Sequence, residues 1–239
     1  MSSSPHKPLV YIISAPSGSG KSTLVNELLK SVSDLEFSIS YTTRAPRGSE
    51  TNGRQYYFVS RSEFEKMIHD GEFLEHAEFD GNLYGTARRF LHEAEQSGRD
   101  LLLDIDVQGA AQIQQKLTNA TSIFILPPNR KILAERLRKR GEDRDEVIQR
   151  RVAAATREIE NYDRYNYILI NDHLEESIEI LQAIVRSERL LRAGRALSRD
   201  ESKIVKLADC CRLANVRERV KPILDSFRTT DDSGGGNPS

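Results

Sequence analysis

The chain has 239 residues, room for one large α/β domain with an insertion or for two small domains. Hydrophobic residues at 38% and charged residues at 30% suit a globular protein with a polar surface, and a net charge of −1 excludes a global basic field for gripping a nucleic-acid backbone. No apolar run approaches the ~20 residues of a membrane span, and Met1 to Pro8 lacks the apolar core of a secretion signal, so a cytoplasmic protein with no nucleic-acid or membrane partner is expected.

Residues 1–8 have the composition of a disordered end. Leu9 to Ile13 is a near-continuous apolar run, the mark of a strand covered on both faces. It stops at Ser14-Ala15-Pro16-Ser17-Gly18-Ser19-Gly20-Lys21-Ser22-Thr23, after which Leu24, Val25, Leu28 and Leu29 share one side of an amphipathic helix. Strand, glycine-rich loop and helix are the context of a phosphate loop. Its amides would turn inward as an anion nest at the positive end of the helix. Lys21 would reach the β- and γ-phosphates of a nucleoside triphosphate, and the Ser22 hydroxyl would ligate Mg²⁺. Ala15 stands where the usual pattern starts with glycine, which costs little if the backbone there keeps a negative φ.

From about 37 to 86 the pattern changes. Phe37 to Tyr41, Gln55 to Val59 and Phe73 to Phe79 read as strands, with a helix from Ser62 to Gly71 and a tight hairpin at Asp80-Gly81. This predicts a small mixed or antiparallel subdomain inserted in the core. The loop from Ser40 to Arg47 offers hydroxyls and two arginines, Arg44 and Arg47, whose forks fit phosphate oxygens. Tyr56 and Tyr84 add phenol donors nearby.

Core strands return at 100–106, 122–126 and 167–170, with polar ends where parallel sheets bind ligands. Asp106, closing an apolar strand, suits an aspartate that holds Mg²⁺ through water; the competing role is a cap on the next helix. Asp104, two residues earlier, would point the same way. Residues 129–162 predict two arginine-dense helices, the first capped by Asn129 and stopped by Gly141, the second starting at Asp143 or Asp145 and running to about Tyr162. Two or three of their arginines facing the phosphate loop would make a lid. Asp172 with Glu175 resembles a capping box, Ile178, Leu181, Ile184 and Val185 then mark a long amphipathic helix, and the apolar spacing continues sparsely to about Leu207. Residues 210–228 keep a helical period, interrupted by Pro222, for packing on the body or, alternatively, for a homo-oligomer. Cys210 and Cys211 are neighbours, too close for an unstrained disulfide, and read as reduced thiols. Residues 229–239, with three successive glycines, have the composition of a disordered tail.

Ser14 to Ser22, Thr42 to Arg47, Asn52-Gly53 before Tyr56 to Val59, Phe73 to Ala77, Gly81 to Thr86 and Leu103 to Gly109 together resemble guanylate kinase in its bacterial form, over about Leu9 to Asp209. The resemblance implies an α/β fold. Its P-loop kinase core has a parallel sheet flanked by helices (9–36, 87–128 and 163–209), with an inserted mixed β GMP-binding subdomain (37–86) and a helical lid (129–162). It implies ATP-dependent phosphorylation of GMP, and of dGMP, with Mg²⁺ as cofactor. By the same resemblance Arg44, Arg47, Tyr56 and Tyr84 grip the GMP phosphate, while Ser40, Glu75, Thr86 and Asp104 read guanine. Thr86 stands where other members carry serine and keeps the hydroxyl. Arg136, Arg140 and Arg151 resemble lid arginines that close on ATP phosphates, and Asn171 a residue near its adenine. Two rivals are a kinase of another phosphorylated acceptor, such as a ribose phosphate, and a non-catalytic protein-binding domain. Glu75 and Asp104 speak against the first; intact Lys21, Ser22 and lid arginines speak against the second.

Overall fold

Each core strand deals its side chains alternately to two apolar layers. In Val10–Ser14 (β1), Val10 and Ile12 join one buried cluster while Tyr11 and Ile13 join the other. The computed structural model describes residues 7–139 and 144–228. After β1 come Lys21–Ser31 (α1), Leu35–Ser38 (β2), Tyr41–Thr42 (β3), Tyr57–Phe58 (β4), Arg61–His69 (α2), Phe73–Phe79 (β5), Asn82–Ala87 (β6) and Arg88–Ser97 (α3). Asp100–Asp104 (β7), Val107–Lys116 (α4), Thr121–Leu126 (β8), Arg130–Lys139 (α5), Asp145–Ile159 (α6) and Tyr167–Ile170 (β9) follow. The chain then runs through Leu174–Ala193 (α7), Arg199–Asp209 (α8) and Leu213–Arg228 (α9).

Five strands form a parallel sheet in the order β2-β7-β1-β8-β9, and four form a mixed sheet, β4-β3-β6-β5. Helices cover both faces of the first sheet: α3, α4, α5, α6 and α9 contribute to one apolar layer, α1, α7 and α8 to the other. Buried Asp100 ties the start of β7 to the entry of β1 and to α7, accepting from Leu9 N at 2.8 Å and Arg189 Nε at 2.7 Å, so its buried charge is compensated.

Several expectations are corrected. The parallel sheet has a fifth strand, because Leu35–Ser38 pairs with β7 and leaves the inserted subdomain to start later than 37. Three of its four residues are only half-buried, so this edge strand lacks the both-faces signature. β7 ends at Asp104 rather than at 106, because Asp106 turns to cap α4: its Oδ1 accepts from Gln108 N at 2.9 Å and Gly109 N at 2.8 Å. No capping box forms at Asp172. Sheet pairing extends to Asn171 N, bonded to Leu126 O at 2.8 Å, and α7 starts only at Leu174. That helix stops at Gly194, φ 64°, and a capping box of Ser198 with Glu201 starts α8, so the expected long helix is a packed pair. Pro222 does not interrupt α9, whose Val216, Val220, Ile223 and Phe227 are buried in the layer shared with α5 and α6.

Other expectations hold. Asp80 and Gly81, φ 50° and 75°, make the hairpin turn between β5 and β6. Asn129 Oδ1 accepts from Ile132 N at 2.9 Å to cap α5, and Asp145 starts α6. Cys210 and Cys211 are unbridged, their sulfurs 3.9 Å apart. Apart from these expectations, no helix among the described residues is long and apolar enough to cross a membrane. The ends expected to be disordered (apart from Lys7 and Pro8), together with Arg140, Gly141 and Asp143, lie outside the described residues.

Candidate active site

β1 sits in the middle of the parallel sheet with β7 beside it, so the loop after β1 and the end of β7 open onto the same side. A cleft of about 300 Å³ lies there. Ala15 to Gly18, Gly20, Lys21 and Ser22 line it, as do Ser40, Tyr56, Glu75 and Tyr84 from the inserted subdomain, with Asp104, Asp106 and Glu158. The glycine-rich loop therefore shares one cavity with Tyr56 and Tyr84 of the expected acceptor side, whereas Arg44 and Arg47 lie outside its lining.

The loop has the backbone of an anion nest. Gly18 and Gly20 have φ of 93° and 89°, which glycine alone adopts without strain, whereas Ala15 keeps a negative φ, as expected. Asn171 Nδ2 donates to Ser19 O at 2.7 Å, and a Cβ on Gly20 would fall 2.4 Å from that nitrogen. Asn171 thus braces the loop from the end of β9. Ser19 Oγ and Arg136 Nη1 are buried without a partner among the described residues, an unfavourable arrangement that an anionic ligand would relieve. Arg136 is held through Nη2 on Asn171 O at 2.9 Å, and burial pulls its guanidinium below the ordinary arginine value. From α6, Arg151 Nη2 reaches Ser17 Oγ at 2.7 Å. Thr23 is exposed outside the cleft, and Ser14 is buried, its hydroxyl 3.5 Å from Asp106 O.

Lys21 Nζ is ion-paired with Asp104. Burial alone would push the ammonium down, but the charge and hydrogen bond of Asp104 outweigh it and hold Lys21 above the usual lysine value. Asp106 lines the cleft while also filling the helix-capping role that competes with metal binding. Ser22 and Asp106 offer a hydroxyl and a carboxylate, and no cluster of three or more His, Cys, Asp or Glu suited to a metal exists among the described residues. That sparse set of hard oxygens fits Mg²⁺, which keeps waters and binds mainly through substrate phosphates.

On the acceptor side Glu75 is 4% exposed, and Thr86 Oγ1 donates to its Oε1 at 2.7 Å. Burial pushes its carboxyl up to about 7 against the opposing Thr86 bond. Thr86 lies behind Glu75 rather than in the cleft wall. Arg44 stands over the Tyr56 ring, 5.3 Å to its centre, and Tyr56 meets Tyr84 edge-on at 6.1 Å. Arg47 is exposed.

Two residues escaped the sequence reading. Glu50 accepts from both arms of Arg44, at 3.0 Å each, and from Arg47 N at 2.7 Å, so it ties the arginine loop together. A lone acid in a basic loop was the available signal. Glu158 projects into the cleft from α6, and burial pushes its carboxyl up to about 7; in sequence it looks like any solvated helix charge.

Comparison with known proteins agrees with this geometry. A family model described as guanylate kinase matches residues 7–188. The guanylate kinase of Koribacter versatilis (strain Ellin345) is 55% identical over 226 residues, 93% of this chain and 97% of that protein. That of Escherichia coli (strain K12) is 48% identical over 200 residues, 83% of this chain and 96% of the relative. Among solved structures, the guanylate kinase from Anaplasma phagocytophilum matches with a TM-score of 0.61 and 32% identity, over 91% of this chain and 95% of that one. The matched residues span both sheets, and the chain belongs to the guanylate kinase family.

Proposed function

We propose that this chain transfers the γ-phosphoryl group of ATP to GMP, giving ADP and GDP, that it also accepts dGMP, and that it works in the cytoplasm. One observation carries the reading: a triphosphate loop and a nearly buried carboxylate, Glu75, open into a single cleft. Guanine presents an N1–H and a 2-amino group, both donors, to such an acceptor, whereas adenine has a bare acceptor at N1 and no 2-amino group. A site built around buried partners rejects a base that lacks them by a factor on the order of 10⁴.

The GMP phosphate oxygen is already an anion, so in-line attack on the γ-phosphorus needs alignment and charge neutralisation rather than a strong base. Arg44, Arg47, Tyr56 and Tyr84 hold the acceptor phosphate; Ser40, Glu75, Thr86 and Asp104 orient the base. Lys21 exchanges Asp104 for the triphosphate. Arg136 and Arg151, with Arg140 outside the described residues, neutralise the transferring group and exclude water that would hydrolyse ATP. Ser22 and Asp106 would hold Mg²⁺, which when bound supplies charge neutralisation on the phosphate oxygens.

The test is a coupled ADP-release assay across GMP, dGMP, AMP, UMP, CMP and ribose phosphates. GMP should exceed AMP in kcat/KM by roughly 10³ or more. A ribose phosphate as best acceptor would overturn the substrate. Calorimetric binding of GMP and ATP with no turnover would instead indicate a non-catalytic domain.

A further inference from the structure

The first turn of α4 holds a glycine where alanine would make the better helix. Gly109 is buried and does not have the positive φ that would call for glycine. What it provides is space. A Cβ placed on it would lie 2.5 Å from Glu75 Oε2 and 2.9 Å from Glu75 Cδ, closer than atoms can stand unbonded. Neither side can retreat easily. Glu75 is 4% exposed and its other oxygen takes the Thr86 hydroxyl at 2.7 Å. The helix turn is pinned in its place, since Gly109 N donates to Asp106 Oδ1 at 2.8 Å.

We propose that Gly109 is a specificity-determining positioning residue: its missing side chain is the space that seats the Glu75 carboxylate in line with the two donors of guanine. The inference rests on Glu75 reading the base. The close approach also sets the carboxylate against the first turn of α4, where the helix dipole favours negative charge. An added methyl group tilts the carboxylate away from both the base and that turn. The kinase step itself, centred on Lys21 and the phosphate loop, is untouched.

The experiment is a double-mutant cycle on the full-length protein with Gly109→Ala, Glu75→Ala and the pair. The readouts are kcat and KM for GMP and AMP, KM for ATP, and thermal melting. Gly109→Ala should raise KM for GMP roughly 10- to 100-fold, the scale of an ångström-sized misplacement, and lower the GMP-to-AMP preference while leaving KM for ATP unchanged. Added to Glu75→Ala it should change nothing further, because the atoms it displaces are gone. An unchanged KM for GMP in Gly109→Ala, or an equal loss in both backgrounds, overturns the proposal. Should Gly109→Ala fail to fold, the pair must fold, and its failure to do so is equally fatal. Normal GMP kinetics in Glu75→Ala alone would instead remove the base-reading role of Glu75, so the two ideas fail separately.

Discussion

Glu75→Gln should weaken recognition of GMP and at the same time stabilise the protein. Burial moves this carboxyl from 4.5 up to about 7. Between those values the folded protein keeps a proton that the unfolded chain has released. Stability therefore falls as pH rises through the window, and the loss is complete above about 7. It amounts to about 3 kcal/mol at pH 8. Glutamine has the same shape, keeps an acceptor for Thr86 and never ionises, so it removes the penalty. At roughly 2–4 °C per kcal/mol for a chain of this size, the variant should melt about 6–12 °C above the parent at pH 8, with no gain below 4.5. Recognition goes the other way. Glutamine gives up one charge-assisted hydrogen bond to guanine and turns a donor against a donor, each worth about 1.5–3 kcal/mol, so kcat/KM for GMP should fall roughly 10²- to 10⁴-fold. In the parent, kcat/KM for GMP should rise through about pH 7 as the carboxylate ionises. Melting by scanning fluorimetry at several pH values, beside ADP-release kinetics with GMP and AMP, measures both. A stability gain independent of pH, or an unchanged GMP-to-AMP ratio, would refute the reasoning.

Lys21→Ala should lower turnover by roughly 10³ while leaving the calorimetric affinity for GMP intact, since the lysine serves the triphosphate; near-normal turnover would remove it from the mechanism. Glu50→Gln loosens the fork that holds Arg44 over Tyr56, and KM for GMP should rise about 10-fold with KM for ATP unchanged. A fall in KM would mean that Glu50 competes with the phosphate for Arg44. Phe227→Ala, on the buried face of α9, should cost about 3 kcal/mol in urea unfolding, and an unchanged midpoint would show that α9 adds nothing to the body.

The most legible parts were those whose causes lie within a few residues. Glycines 18 and 20 mark a backbone that only they adopt easily, the Asp80-Gly81 turn is set by its own dihedrals, and runs such as Leu101 to Leu103 announce a strand buried on both sides. Errors came where a distant partner decides. Leu35–Ser38 is a core strand only because β7 is there to pair with it, and the turn into α7 is delayed by a bond from Asn171 to Leu126. Asp106 had two readings, and its capping role became visible only once α4 placed two amides on its carboxylate.

The sequence by itself determined most of the elements, the glycine-rich loop after β1 and most of the side chains around it, because dihedral preference and apolar period are local properties. Only the tertiary structure decided which of them meet: Lys21 with Asp104, Arg44 with Glu50, and Glu75 with both Thr86 and the bare Cα of Gly109. Separation along the chain says nothing about separation in space until the order of strands in the sheet is set.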